Sequence, residues 1–255
     1  MKKLAFLLSA LPIVAFAGDA EENKLWKGKA EAGLVSTTGN TDTSSTNLKL
    51  ELVYESGDWR HSFLTEAFLA EAEQVVGTEL DGQGNLVERR ESRDTGEKYY
   101  TLIKSDYKFS ETAYFYGLVD YTDDRFSGFD YQANASVGLG KNFIKNDKYT
   151  LDAEIGYGAR RYQEEAQWDA ETEGVTRVAG KFQWNISENA KFNQELNSQI
   201  GDDITVSKSI SALTANINSS MALSIGYEIV HTSDVPSADI EKTDRKTTVN
   251  LVYSF

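Results

Sequence analysis

Apolar and polar residues alternate along most of the chain from Trp26 onward. The clearest segment is 129–140, where odd positions hold Phe, Tyr, Ala, Val and Leu and even positions hold Asp, Gln, Asn, Ser and Gly. Successive side chains of a β-strand point to opposite faces, so this pattern gives a strand one apolar and one polar face. We therefore predict a strand here, and other segments repeat the pattern.

Twelve such segments are separated by turn-forming residues. They are 26–34, 47–55, 59–70, 98–109, 113–121, 129–140, 149–159, 178–186, 191–200, 204–217, 221–229 and 243–255. In the third segment the parity is mixed, and we assign the face that carries Trp59 to the outside. The parity of the tenth segment favours neither face.

The connections between these segments alternate in length. Short turns follow the even-numbered strands, whereas the long links 71–97, 163–173 and 231–242 lie on the other side. We expect 71–97 to be a large surface loop, with room for a small hairpin at 82–85. An even strand number with short turns at one end and long loops at the other is typical of outer-membrane barrels, whose two termini lie in the periplasm.

The last strand ends the chain on an aromatic residue. Val249, Leu251, Tyr253 and Phe255 share one face of it. Bacterial outer-membrane barrels end in this way, and we predict that Tyr253 and Phe255 form the signal that the barrel-assembly machinery reads.

Aromatic residues also collect at the predicted periplasmic strand ends, where an interfacial girdle would lie. They are Trp26, Tyr54, Trp59, Tyr107, Phe109, Trp184, Phe192 and Tyr253. The predicted fold class is therefore an all-β, transmembrane, antiparallel up-and-down β-barrel of about twelve strands. A soluble periplasmic β-protein is the architectural alternative.

The N-terminus predicts export. Residues 1–17 combine Lys2 and Lys3, an apolar run and an Ala-Phe-Ala cleavage site, which together indicate a secretory signal peptide. The remainder, 18–255, contains no Pro- or Ser-rich linker and is predicted to be a single barrel domain in the outer membrane. Because the chain has no cysteine, neither disulfides nor a lipid-modified cysteine can form.

The charge of the chain limits its partners. The formal net charge is −14, which argues against nucleic acid because phosphate binding needs basic patches. The expected partners are outer-membrane lipids, lipopolysaccharide, periplasmic chaperones and the assembly machinery. The oligomeric state is not predicted.

By parity, charged residues of both signs point into the barrel. The candidates are Lys49, Glu51, Lys104, Asp106, Asp120, Asp130, Asp152, Glu154 and Glu228. They could form a polar pathway whose charges tune selectivity, or a ladder of cross-strand ion pairs that fills a narrow barrel. At twelve strands both arrangements are physically allowed.

Catalytic signals are weak in this sequence. Its two histidines are His61 and His231, and His61 cannot activate the adjacent Ser62 because neighbours on a strand point to opposite faces. His231 lies at a strand-to-loop junction. We therefore predict no catalytic residue, no metal site and no cofactor, with an outer-membrane hydrolase as the alternative class.

Several segments resemble the bacterial salt-induced outer-membrane protein family, YdiY-like, whose function is unknown. The resemblance lies in 36–43 (STTGNTDT), 114–118 (YFYGL), 124–131 (DRFSGFDY) and the ending 251–255 (LVYSF). It covers nearly the whole of 18–255 and is weakest in 71–97. It implies a barrel, an outer-membrane location and a link to salt, but no mechanism.

Overall fold

A computed structural model describes residues 25–37, 43–80 and 82–255. The predicted signal peptide lies outside the described residues. These residues form twelve strands: β1 (Trp26–Thr37), β2 (Thr43–Ser56), β3 (Trp59–Leu80), β4 (Leu86–Lys108), β5 (Ala113–Asp124), β6 (Phe129–Lys145), β7 (Tyr149–Glu164), β8 (Glu171–Asn185), β9 (Ala190–Gly201), β10 (Thr205–Asn216), β11 (Met221–Thr232) and β12 (Thr243–Ser254). No helix in the described part of the chain is long and apolar enough to cross a membrane.

Each strand pairs in antiparallel fashion with its neighbours in sequence, and β1 pairs with β12 to close the barrel. Closure removes both sheet edges, which would otherwise leave unpaired backbone groups. The predicted all-β, twelve-stranded, up-and-down barrel is confirmed. We call the end that holds Trp26 and Phe255 the terminal end, and the opposite end the ribbon end.

The two faces of the sheet differ as the alternation predicts. Polar side chains are buried inside, with Asp106 1% and Arg160 0% exposed, while apolar side chains such as Val137, 68% exposed, cover the outer wall. This is the reverse of a water-soluble protein, in which large apolar side chains are buried and charged ones are exposed. The outer wall is therefore suited to an apolar surrounding.

An aromatic band follows the terminal end of the barrel. Trp26 contacts Tyr54 with ring centroids 4.7 Å apart, and Trp59 contacts Tyr107 at 5.1 Å. On β7 and β8, the ring centroids of Tyr149 and Trp184 lie 6.3 Å apart. These rings join neighbouring strands at one height, which is the arrangement of an interfacial girdle.

The prediction of a loop at 71–97 is wrong, because β3 and β4 continue through most of it as a two-stranded ribbon. β2 pairs with β3 only as far as Ala72, and β5 pairs with β4 only from Lys98, so in the described chain 73–80 and 86–92 pair with each other alone. Most side chains of the ribbon are exposed on both faces. Without a buried face the sequence has no apolar alternation, and the strands were missed.

The structure also shows which face of β3 and of β10 lies inside the barrel, which parity alone did not decide. On β3, Trp59 lies on the outer wall while Arg60 and Glu66 form ion pairs inside, in agreement with the predicted facing of Trp59. On β10, Lys208 pairs inside the barrel with Glu228. Three serines, Ser207, Ser209 and Ser211, lie on the opposite parity of this strand, which explains why hydropathy alone could not assign it.

One inward assignment is wrong. A β-bulge between Phe129 and Tyr131 shifts the register of β6 against β7, so Phe129 is buried at 2% exposure and Asp130 is exposed. A bulge adds one residue to a strand and reverses the parity on one side of it. Asp130 is therefore not a lumen-facing residue.

Candidate functional site: the barrel interior

The other eight inward candidates occupy different parts of the interior. Their contacts are Lys49 with Glu66, Glu51 with Lys29, Lys104 with Asp106 and Glu154, Asp106 with Arg60, Asp120 with Asn134, Asp152 with Asn142, Glu154 with Arg177, and Glu228 with Lys208 and Lys246. Most of these contacts join different strands. The interior is thus a set of cross-strand clusters rather than a row of independent charges.

The first cluster covers the inner wall of β4, β5, β7 and β8. Glu154 accepts hydrogen bonds from Lys104 Nζ at 2.5 Å, Tyr114 Oη at 2.7 Å and Arg177 Nη1 at 2.7 Å. The Lys104 ammonium also lies 5.2 Å from the ring centroids of both Tyr114 and Tyr116. A carboxylate with three donors and two flanking cations is fully compensated, so this wall is filled and rigid.

Glycines on the neighbouring strands make room for the tyrosine rings of this cluster. A Cβ added at Gly140 would collide with the Tyr114 ring, and one added at Gly156 would collide with the Tyr116 hydroxyl. Both tyrosines are 3% exposed. The glycines therefore allow two large rings to fill this half of the lumen.

A second cluster, the mid-lumen layer, comprises Lys49, Glu66, Lys208, Glu228 and Lys246. The nitrogen-to-oxygen distances are 3.3 Å for Lys49–Glu66, 3.9 Å for Glu66–Lys208, 3.0 Å for Lys208–Glu228 and 3.4 Å for Lys246–Glu228. Glu66 is on β3 and Lys208 is on β10, and four strands separate these two in the ring. The Glu66–Lys208 contact therefore crosses the lumen and is the longest of the four.

Two cavities lie on either side of the mid-lumen layer. A cavity of about 170 Å³ toward the terminal end is lined by Glu66 and Glu228 together with Lys29, Lys191 and Ser254. A second cavity of about 110 Å³ toward the ribbon end is lined by Lys208 and other residues. Residues of the mid-lumen layer therefore line both spaces.

Arg160 organises the interior at the ribbon end. Its Nη1 lies 3.1 Å from Glu173 Oε1 and donates to the Ile204 carbonyl at 2.8 Å, and its Nη2 donates to Gln199 Oε1 at 3.1 Å. These partners belong to β8, to β9 and to the turn before β10. One fully buried guanidinium thus ties three successive segments together.

Sequence reasoning missed several residues that build these clusters. They are Arg60, Glu66, Tyr114, Tyr116, Arg160, Arg177 and Lys208. Parity alone could have found Arg160, because it continues the inward series of β7, and Tyr114, because it shares the parity of the inward candidate Asp120 on β5. The mixed parity of β3 and β10 hid Glu66 and Lys208.

The two histidines lie away from these clusters. His61 Nδ1 lies 2.9 Å from Ser105 Oγ on the neighbouring strand, and its ring stacks on Trp59 with centroids 5.7 Å apart. His231 Nδ1 lies 2.8 Å from Thr243 Oγ1. Among the described residues neither ring contacts a carboxylate, and no group of three or more metal-ligating side chains could hold an ion.

This chain is similar to known proteins in sequence and in fold. The chain is 26% identical over 235 residues to "Uncharacterized protein YdiY" of Escherichia coli (strain K12), which covers 92% of this chain and 85% of that protein. Among solved structures, the NanC porin superposes with a TM-score of 0.54 at 11% identity, over 89% of this chain and 98% of that one. For the KdgM porin in complex with disordered oligogalacturonate the TM-score is 0.45 at 10% identity, and the match covers 90% of this chain and 99% of that one. At these identities the NanC likeness shows the barrel fold alone.

The family itself is shown by a match to a family model. A family model described as a protein of unknown function, DUF481, matches residues 30–255. This range includes every strand except the first residues of β1. The resemblance found in the sequence motifs is confirmed: the chain belongs to the DUF481 family.

Proposed function

We propose that this protein is a narrow pore in the bacterial outer membrane that passes small ions and solutes. The observation that carries the proposal is the pair of cavities, about 170 Å³ and 110 Å³, whose linings both include residues of the mid-lumen layer. A constriction of alternating charges can tune which ions pass. No catalytic step is part of the proposal.

Swelling of proteoliposomes tests the size limit. Vesicles with the refolded protein should swell in iso-osmotic solutions of a small solute such as glycine, but not in a trisaccharide such as raffinose, because the cavities hold only a few water volumes each. Empty vesicles are the control. Equal swelling in both solutes would contradict a narrow pore.

A structural role without conduction is the second candidate. The compensated wall around Glu154, Tyr114 and Tyr116 favours it, because that half of the interior is filled. In that case the vesicles swell in neither solute.

The hydrolase alternative can be examined at His61 and Ser105. Both the wild type and Ser105→Ala should show only background esterase activity as purified proteins.

Export through the signal peptide, the outer-membrane location, the contacts with lipids and lipopolysaccharide and the passage through chaperones are part of the same proposal. The exposed apolar outer wall and the aromatic band support it. A response to salt is proposed only from the family resemblance. Protein levels in cells grown at low and high NaCl would test it.

The proposed topology places the ribbon outside the cell. The natural chain has no cysteine, so Gln83→Cys in the ribbon turn and Glu188→Cys in the β8–β9 turn each introduce one thiol. We expect a membrane-impermeant maleimide to label Gln83→Cys in intact cells and Glu188→Cys only after the outer membrane is opened. The reverse pattern would show that the barrel is inserted the other way round.

Phe255 is expected to matter for assembly and also for closure of the barrel. Its backbone exchanges two hydrogen bonds with Gly28, at 2.9 and 3.0 Å, and its ring covers Gly28, where a Cβ would collide with it. Deleting Phe255 should lower the amount of protein in the outer membrane and induce envelope stress, while Phe255→Tyr, which keeps a ring, should behave as the wild type. Unchanged levels after the deletion would count against an assembly signal.

A further inference from the structure

Asp120 is a buried carboxylate without an ion pair. It points inward from β5, is 4% exposed and accepts a hydrogen bond from Asn134 Nδ2 at 2.7 Å. Within the described residues no lysine or arginine nitrogen lies within 4.0 Å of its oxygens. A buried charge is costly unless it is paired, so an unpaired one inside a lumen calls for a counter-ion.

The positive groups around Asp120 are already engaged with other carboxylates. Their contacts are Arg160 with Glu173 at 3.1 Å, Arg177 with Glu154 at 2.7 Å, Lys98 with Asp124 at 3.0 Å and Lys208 with Glu228 at 3.0 Å. Arg160 reaches Asp120 only through the Asn134 amide, whose oxygen accepts from Arg160 Nε at 3.3 Å. The part of the chain that the structure describes therefore supplies no direct counter-ion.

Asp120 borders the cavity of about 110 Å³ at the ribbon end, and two further lining groups carry oxygen atoms of the kind that can accept a cation. Among the described residues, the buried Oδ1 atom of Asn197 has no hydrogen-bond partner and Asp244 forms no ion pair. Tyr100 and Phe129 supply aromatic rings to the same lining. Carboxylate and amide oxygens beside a ring form the usual surroundings of an organic ammonium ion.

The protein itself shows this chemistry at the cavity. The Lys208 ammonium lies 5.4 Å from the centroid of the Tyr100 ring, which is within the range of a cation–π contact. The cavity has room for a few water molecules or one small organic ion, but not for an oligosaccharide. Charge, aromatic lining and size therefore favour the same class of ligand.

We infer that this cavity binds a small organic ammonium ion, with Asp120 as its counter-ion and Asn197 Oδ1 as a second acceptor. The physiological role of this binding site rests on the proposed pore, since the inference names the class of solute that the ribbon-end half of the lumen accepts. The binding itself can be measured without conduction.

Saturation-transfer NMR with methylammonium chloride on the refolded barrel in detergent micelles tests the inference. The wild type and Asp130→Asn should transfer saturation to methylammonium, because Asp130 lies at the exposed bulge, whereas Asp120→Asn should reduce the transfer severalfold. Methanesulfonate, an anion of similar size, should receive none. Equal transfer in Asp120→Asn and wild type would overturn the inference.

Two further measurements guard the result. Heat-modifiable gel migration reports whether each variant is folded. If Asp120→Asn does not fold, Asn197→Leu takes its place and should lower the saturation transfer to methylammonium, because it removes the second acceptor at similar side-chain volume. Displacement of methylammonium by an equal concentration of KCl would overturn the assignment to organic ammonium ions. Binding without vesicle swelling would refute the pore alone, and swelling without binding would refute this inference alone.

Discussion

Replacing Arg160 by alanine should lower the free energy of unfolding by about 3–5 kcal/mol, because removing one partner of a buried ion pair leaves the other charge uncompensated. Arg160 is 0% exposed and Glu173 is 7% exposed. The substitution would also take a donor from the Ile204 carbonyl. Urea titration of the folded barrel in detergent micelles, followed by tryptophan fluorescence, measures the effect.

Arg161→Ala is the matched control for this prediction. Arg161 is the next residue on β7 and is exposed on the outer wall, where its Nε donates to Tyr131 Oη at 3.3 Å. Its loss should change the unfolding free energy by less than about 1 kcal/mol. In the double variant Arg160→Ala/Glu173→Gln much of the stability should return, since no buried charge is stranded. Equal stability of the two arginine variants would contradict the role given to Arg160.

Removing Glu66 and Lys208 together should raise the conductance of the barrel severalfold. Their 3.9 Å contact joins nearly opposite walls of the lumen, and two alanines would leave net charge unchanged while widening the passage. The single variants should shift ion preference in opposite directions: Glu66→Ala toward anions and Lys208→Ala toward cations, because each leaves its partner's charge in the lumen. Reversal potentials across a salt gradient measure the shift.

Lys181→Ala/Glu195→Ala is the control for this pair. These side chains form a 2.7 Å ion pair in the cavity at the terminal end and are about half exposed, at 51% and 42%. Because they do not cross the lumen, their removal should leave conductance nearly unchanged. If both double variants conduct alike, the mid-lumen layer is not the constriction.

The sequence was sufficient for those parts of the fold in which each strand has one apolar face. Strand β6 between Gln132 and Gly140 is such a case, and its parity placed the side chains of Asn134 and Ser136 inside. The ribbon is the opposite case, because both of its faces are exposed and its like-face pairs, such as Arg89 with Glu91 at 2.7 Å, are polar. Alternation of apolar and polar residues reveals a strand only when its two faces differ in polarity, and the two faces of the ribbon do not.

Contacts inside the lumen could be predicted only in part. Parity placed Lys49 and Glu228 inside, but it could not show that Glu66 and Lys208 link them across the barrel, because that depends on strand positions far apart in sequence. A single bulge was enough to move Asp130 out of the interior, and the alternation of apolar and polar residues does not locate it. Alternation thus assigns faces, while register and closure decide partners.

Single-channel recording of the refolded wild-type protein in a planar bilayer tests the narrow pore most directly. We expect discrete steps of small conductance, which increase in the Glu66→Ala/Lys208→Ala variant. A wild type without steps, together with a variant that also conducts nothing, would contradict the pore and leave the filled, structural barrel.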